Sequence, residues 1–197
     1  HMWNTKTPGI PDEFFDRDEG VPITKEEVRV VQISKARLKP GMIIYDIGCG
    51  SGSISVEAAL QIEDSGHVHA VDNDVKAVEL TKKNLAKFGV RNVSVINNDA
   101  NKAISDLPEA DAIFIGGTGK DTEEIVKLCQ DKLKQGGRIV IGMILIETIF
   151  SVLSLIQELS FNSIDITQVT ISKSRKTSTG TMMLARNPVT VLAATKN

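Results

Sequence analysis

The segment Tyr45-Asp46-Ile47-Gly48-Cys49-Gly50-Ser51-Gly52-Ser53 constrains the fold more than any other part of the chain. It follows the apolar run Met42-Ile43-Ile44 and leads into Ile54-Ser55-Val56-Glu57-Ala58-Ala59-Leu60. That order reads as strand, glycine turn, helix. Glycine lets the backbone turn sharply and lets a ligand approach main-chain N–H groups. A helix start adds unpaired donors and a positive dipole end. Nucleotide-like ligands are held at such junctions. The glycine spacing and Asp46 decide which ligand.

The rest of the chain alternates in the same way. A capping box, Thr24 with Glu27, predicts a first helix that buries Val28, Val31, Ile33 and Leu38 and ends at Pro40-Gly41. Strands are expected at 42–47, 67–72, 92–97, 110–115 and 138–145, with helices at 53–62, 75–88, 100–106, 120–134 and 147–159. Two β-rich stretches, 163–172 and 181–194, then follow with no helix between them and suggest an antiparallel pair closing the sheet edge. Alternation of this kind implies a mostly parallel sheet covered on both faces. Residues 3–39 read as an N-terminal arm and capping helix, with Phe14 and Phe15 pinning the arm to the body or to a partner, and 40–197 as the main domain.

Composition excludes some functions. A net charge of −2 provides no global field for nucleic acid, although a local basic patch is still open. Cys49 and Cys129 have no metal-like spacing, no apolar run approaches the roughly 18 residues of a membrane span, and no signal peptide is visible. A reduced, cytoplasmic setting is expected. His67 and His69 alternate on one strand face without a third ligand, so no metal site is expected.

The glycines fall at 48, 50 and 52, whereas a dinucleotide fingerprint would place its third glycine at 53, which is Ser. Asp46 ends the first strand, where a carboxylate can reach an ammonium group or order the loop. Asp72 lies 24 positions after Gly48 at the end of the second strand, where it can accept from ribose hydroxyls. Asp99-Ala100 ends the third strand's turn beside an expected adenine, although Asp99 also suits a helix N-cap. Together these residues resemble the class I S-adenosylmethionine-dependent methyltransferases. That resemblance implies a Rossmann-like α/β fold, a seven-stranded mostly parallel sheet with an antiparallel last strand. It also implies S-adenosylmethionine contacts from Asp46, Gly48, Cys49, Gly50, Ser51, Gly52, Asp72, Asp99 and Ala100.

The acceptor needs other residues. After the fourth strand comes Ile115-Gly116-Gly117-Thr118-Gly119-Lys120, with no Asn/Asp-Pro-Pro-aromatic signature of base-amine methylation. Its glycines either leave room for a bulky ligand or simply turn the chain into a helix. The segments Gly9–Phe14, Pro22–Arg29, Gly116-Gly117, Leu145–Thr148 and Gly180–Val189 resemble the precorrin-6B C(15)-methyltransferases of cobalamin biosynthesis over nearly the whole chain. This resemblance implies methyl transfer to carbon 15 of a cobalt-precorrin with loss of carbon dioxide from the ring-C acetate. It also implies a cofactor contact at Thr24 and favours a homotetramer. Gly116, Gly117, Lys120 and Arg175 are candidate substrate contacts, with Arg29, Lys173, Lys176 and Arg186 as further partners for tetrapyrrole carboxylates. Lys173–Lys176 is expected to be a loop, either a lid or a solvated basic turn. No catalytic base is evident, and the conjugated macrocycle can delocalise charge by itself. Alternative readings are an RNA or protein methyltransferase, a non-catalytic S-adenosylmethionine-binding regulator and, less favoured, an NAD-dependent reductase.

Overall fold

The computed structural model describes residues 3–116 and 118–197. In chain order it comprises α1 (Glu26–Ala36), β1 (Ile43–Ile47), α2 (Ser53–Ile62), β2 (His67–Asp72), α3 (Val75–Lys87), β3 (Val93–Asn97), α4 (Ala100–Ala103), β4 (Ala110–Ile115), α5 (Thr122–Lys132), β5 (Leu133–Met143), α6 (Ile146–Glu158), β6 (Phe161–Val169), β7 (Ser172–Lys176), β8 (Thr181–Ala185) and β9 (Val189–Lys196). Seven strands form one sheet in the order β3-β2-β1-β4-β5-β9-β6. The first five are parallel, and β9 runs antiparallel to both β5 and β6.

The period-2 pleat sorts the core into two layers. On one face Tyr45, Ile47, Ile113, Ile115, Ile139 and Ile141 pack with Ile125, Val126 and Cys129 of α5 and Val152, Leu155 and Ile156 of α6. On the other, Ile44, Ala112, Phe114, Val140, Val191 and Ala193 pack with Val28, Ile33 and Ala36 of α1 and with α2. Side chains of both layers are largely fully buried. Strand order reverses between β1 and β4, and Gly48 and Gly116 leave the sheet there, side by side at the strands' carboxyl ends.

Four expectations change. The first helix begins at Glu26 with Lys25 at its N-cap and no side-chain cap, so Thr24 lies outside the helix and Glu27 turns to Lys173 and Arg186 instead. It ends at Arg37, whose φ of 53° is left-handed, before Pro40 is reached. The fifth helix stops at Lys132, and β5 starts at once, carrying Gly136-Gly137 through a register shift. The terminal β-segments are four strands: β9 inserts between β5 and β6, and β7 with β8 forms a separate antiparallel ribbon. Lys173–Lys176 is therefore a strand of that ribbon.

The N-terminal arm packs on the body. Phe15 and Ile10 are buried, and Phe15 sits 5.0 Å from the Phe88 ring. Arg29 secures the arm from α1. Its fully buried guanidinium donates to Glu57 (2.6 Å), Asp12 (2.5 Å) and the carbonyls of Ile10 (2.7 Å) and Thr24 (3.2 Å). With its donors committed inside the protein, Arg29 is removed as a partner for substrate carboxylates.

Candidate active site

The glycine loop is held from both sides. Asp46 lies buried at the end of β1 and accepts from the Ser55 hydroxyl at 2.6 Å, tying the start of α2 to the strand. From α3, Thr81 Oγ1 donates to the Gly50 carbonyl (2.9 Å) and Asn84 Nδ2 to the Ser51 carbonyl (2.8 Å). Gly50 and Gly52 have φ of 54° and 84°, and a Cβ would meet the Pro22 carbonyl or Thr81 at 2.9 Å. Only glycine fits either position.

The loop's donors are used internally. Gly48 and Cys49 donate to the Val71 carbonyl, Gly50 to Asp72 (3.0 Å), Ser51 to the Pro22 carbonyl and Gly52 to the Cys49 carbonyl. The expected cradle of free N–H groups is therefore absent between Gly48 and Gly52. The dinucleotide reading, already opposed by Ser53 in place of a third glycine, gains no donors from that stretch.

Two cavities meet at Gly48. One is a polar cleft of about 60 Å³, lined by Asp72, Asn73, Asn98, Asp99, Ala100, Thr118 and Asp121 among others. The second, of about 410 Å³, is lined mostly by apolar groups from α1, β1, β4, β5 and β9. Thr24, Lys25, Val28, Gln32, Asp46, Cys49, Phe114, Gly116, Met143, Ile144 and Val189 face it. A third hollow of about 200 Å³ shares Ile115, Gly142, Met143 and Ile144 with it. Beside that hollow, Leu145, Ile146 and Phe150 are exposed as an apolar strip.

Of the residues expected at the site, Thr24, Asp46, Gly48, Cys49, Gly50 and Gly116 gather around the large cavity, and Asp72, Asp99 and Ala100 around the cleft. Ser51 and Gly52 line neither; they pack behind the loop, and Ser51 Oγ has no partner among the described residues. Asp99 stands at the N-cap of α4 without a side-chain cap bond. Lys120 and Arg175 are exposed and outside both linings, and Gly117 lies outside the described residues. Lys173 and Arg186 are paired with Glu27 at 2.7 and 3.1 Å. Sequence reasoning passed over Gln32, Phe114, Met143 and Val189. The available signals were Gln32 one helical turn after Val28 and a glycine, Gly142, inside an otherwise apolar strand.

Charge is arranged unevenly. Burial pushes the Asp46 carboxyl up to about 6 against the Ser55 hydrogen bond, and the nearby negative Asp72 adds to the rise. Burial also drives the Cys49 thiol far above its usual range, so Cys49 contributes shape and backbone, not a thiolate. Among the described residues no cluster of metal-ligating side chains occurs, and no helix is long and apolar enough to cross a membrane.

The parallel sheet with an inserted antiparallel strand, and a two-part site at the β1/β4 reversal, define a class I methyltransferase fold. Comparison with known proteins narrows this. A family model described as "Precorrin methyltransferase domain" matches residues 13–196. The chain belongs to this precorrin methyltransferase family. A relative from Saccharolobus solfataricus, named "Probable cobalt-precorrin-6B C(15)-methyltransferase (decarboxylating)", is 45% identical over 98% of each chain. One of the same name from Sulfurisphaera tokodaii is 47% identical over 97% of this chain and 99% of its own. The crystal structure of a precorrin-8W decarboxylase from Methanobacterium thermoautotrophicum superposes with a TM-score of 0.88 at 35% identity, covering 95% of this chain and all of that one. A Geobacter metallireducens precorrin-6Y C5,15-methyltransferase superposes at 0.89 with 32% identity, over 96% of this chain and 98% of its own.

Proposed function

We infer that the protein transfers a methyl group from S-adenosylmethionine to carbon 15 of cobalt-precorrin-6B, with decarboxylation of the ring-C acetate, in cobalamin biosynthesis. The observation that carries this reading is the meeting of a polar cleft and a larger apolar cavity at Gly48. Such a site can hold a polar nucleoside on one side and a hydrophobic macrocycle on the other. The relatives' names supply the chemistry.

The donor set suits S-adenosylmethionine. Asp72 would accept from the ribose hydroxyls, while Asp99 and Ala100 flank the adenine. Asp46, Gly48, Cys49, Gly50 and Thr24 surround the methionine end, and Ser51 and Gly52 keep the loop in shape. When bound, the cofactor supplies an electrophilic methyl on a sulfonium. Gly116, Gly117, Lys120 and Arg175 are assigned to the acceptor side, with the cations toward its carboxylates.

The reaction balances without a further reagent. Carbon 15 gains the methyl using an electron pair of the macrocycle. The bond to the departing carboxyl breaks, its pair returns to the macrocycle, and carbon dioxide leaves; a proton shift within the acceptor completes the product. The chain's task is to orient the acceptor and exclude water, and orientation supplies much of the rate. The protein is further assigned to a homotetramer, supported by Met182, Met183 and Leu184, which β8 leaves exposed. Light scattering reporting a monomer refutes that assembly.

The test is to incubate the protein with labelled S-adenosylmethionine and cobalt-precorrin-6B and weigh the product. One methyl gained and one carbon dioxide lost is expected. Cofactor binding without transfer to any tetrapyrrole sinks the reading in favour of a regulator. Asp72→Ala is expected to weaken cofactor binding by about 1.5–3 kcal/mol through loss of charge-assisted hydrogen bonds. Unchanged affinity refutes the ribose assignment.

A further inference from the structure

Gly142 interrupts the apolar run of β5, and the reason lies across the sheet. By the pleat it shares a face with Val140, the face covered by α1. A Cβ built there would lie 2.3 Å from Gln32 Nε2. The missing side chain makes the room into which α1 sends a carboxamide. Val28 and Gln32 lie one turn apart on α1, and both line the large cavity with the N-cap residue Lys25.

Gln32 is only 7% exposed, yet its side chain makes no hydrogen bond among the described residues. The carboxamide is not among the polar groups sealed from solvent, so it is open to the cavity that Gln32 lines. The other polar side chains of the cavity are differently placed. Thr24 and Lys25 are half-buried, and Asp46 is tied to Ser55. Gln32 lies against Gly142 and shares the cavity lining with Val28, Met143, Ile144 and Val189, none of which lines the cleft. Gln32 thus presents a neutral donor, with no partner among the described residues, to the apolar cavity.

We propose that the Gln32 carboxamide is a positioning residue that donates to the acceptor carboxylate lost as carbon dioxide. This rests on the decarboxylating methyl transfer inferred above. Decarboxylation disperses the carboxylate's charge into the macrocycle. A cation at that point would bind the starting carboxylate more tightly than the transition state and oppose the step. A neutral amide orients the carboxylate with less of that penalty, and the apolar wall favours leaving the charged state. The choice of an amide, in a chain that uses Arg and Lys elsewhere, follows from a group that must be held and then lost.

The test compares wild type with Gln32→Leu and Gln32→Glu. First, wild-type protein is assayed with cobalt-precorrin-6B; no methylated, decarboxylated product sinks the function and this inference together. Given turnover, acceptor affinity is measured on protein loaded with S-adenosylhomocysteine, and S-adenosylmethionine affinity separately. Gln32→Leu is expected to weaken acceptor binding about tenfold, leave cofactor affinity within twofold, and release some methylated product that retains its carboxyl. Gln32→Glu is expected to bind acceptor still less well, because two carboxylates then face each other. Unchanged acceptor affinity and a single product from Gln32→Leu overturn the proposal, as does wild-type acceptor binding by Gln32→Glu. Melting curves identify a variant that fails to fold; if the Glu variant does, the Leu variant decides.

Discussion

The polar cleft and the apolar cavity share Gly48 but are built in different ways. The cleft draws largely on the ends of β1, β2 and β3 and the turns that follow them, with α3 reaching back to hold the loop carbonyls. The cavity draws on α1, β1, β4, β5 and β9, from Pro22 to Val189. One is drawn from residues 48–125 and is mostly polar; the other is drawn from residues 22–189 and is mostly apolar. The cleft therefore depends on where a few strands end, whereas the cavity depends on α1 and β9 closing over the sheet.

The sharpest break of this contrast is through Arg29, the buried cation that ties the arm and α2 to α1. Arg29→Met leaves Glu57 buried without its partner and is expected to cost about 3–5 kcal/mol in urea unfolding. The arm and α1 should loosen while the β1–β3 end keeps its hydrogen-exchange protection. A variant as stable as wild type would show that the two regions do not depend on this ion pair.

Asp46 sits where the regions join, and pH separates its roles. Its folded pKa of about 6 exceeds the ordinary 3.8, so between those values the folded chain keeps a proton that the unfolded chain has released. Stability is then expected to fall as pH rises from about 4 to about 6, by at most about 3 kcal/mol. Asp46→Asn should flatten that decline, measured as unfolding free energy against pH. If Asp46 also holds the cofactor's ammonium, wild-type affinity for S-adenosylmethionine rises over the same range, and the Asn variant loses the rise. A pH-independent wild type removes the buried carboxyl from both roles.

The smallest effect concerns the β7–β8 ribbon, which Glu27 holds through Lys173 and Arg186. These side chains are partly exposed, 24%, 42% and 30% respectively, so Glu27→Gln should cost only about 0.5–1 kcal/mol and less at high salt. The expected readout is faster hydrogen exchange in β7 and β8 with β9 unaffected. Equal exchange in both proteins would mean that the ribbon is held by other contacts.

Much of this was legible in the sequence, for stated reasons. Helix 53–62 and the strands at 67–72 and 110–115 fall where hydrophobic periodicity places them, because each meets the core with a regular face. Glycine spacing and Asp46 separated one ligand class from another, because a sharp turn and a strand-end carboxylate are local features. Thr24 misled: a capping box is a preference of a few residues, and Glu27 gained more from Lys173 and Arg186, 146 and 159 positions away. Arg29 looked like a ligand for carboxylates because sequence does not show that Glu57 and Asp12 already surround it.

By itself, then, the sequence determined the alternating elements, the glycine loop and the acids that follow it, since periodicity, turn chemistry and strand-end positions act over a few residues. Only the tertiary structure decided that the loop's N–H groups are spent, that β9 enters the sheet between β5 and β6, and that Gln32 fills the space Gly142 leaves. Those outcomes depend on hydrogen bonds and packing between residues far apart in the chain, and they exist only once the sheet has closed.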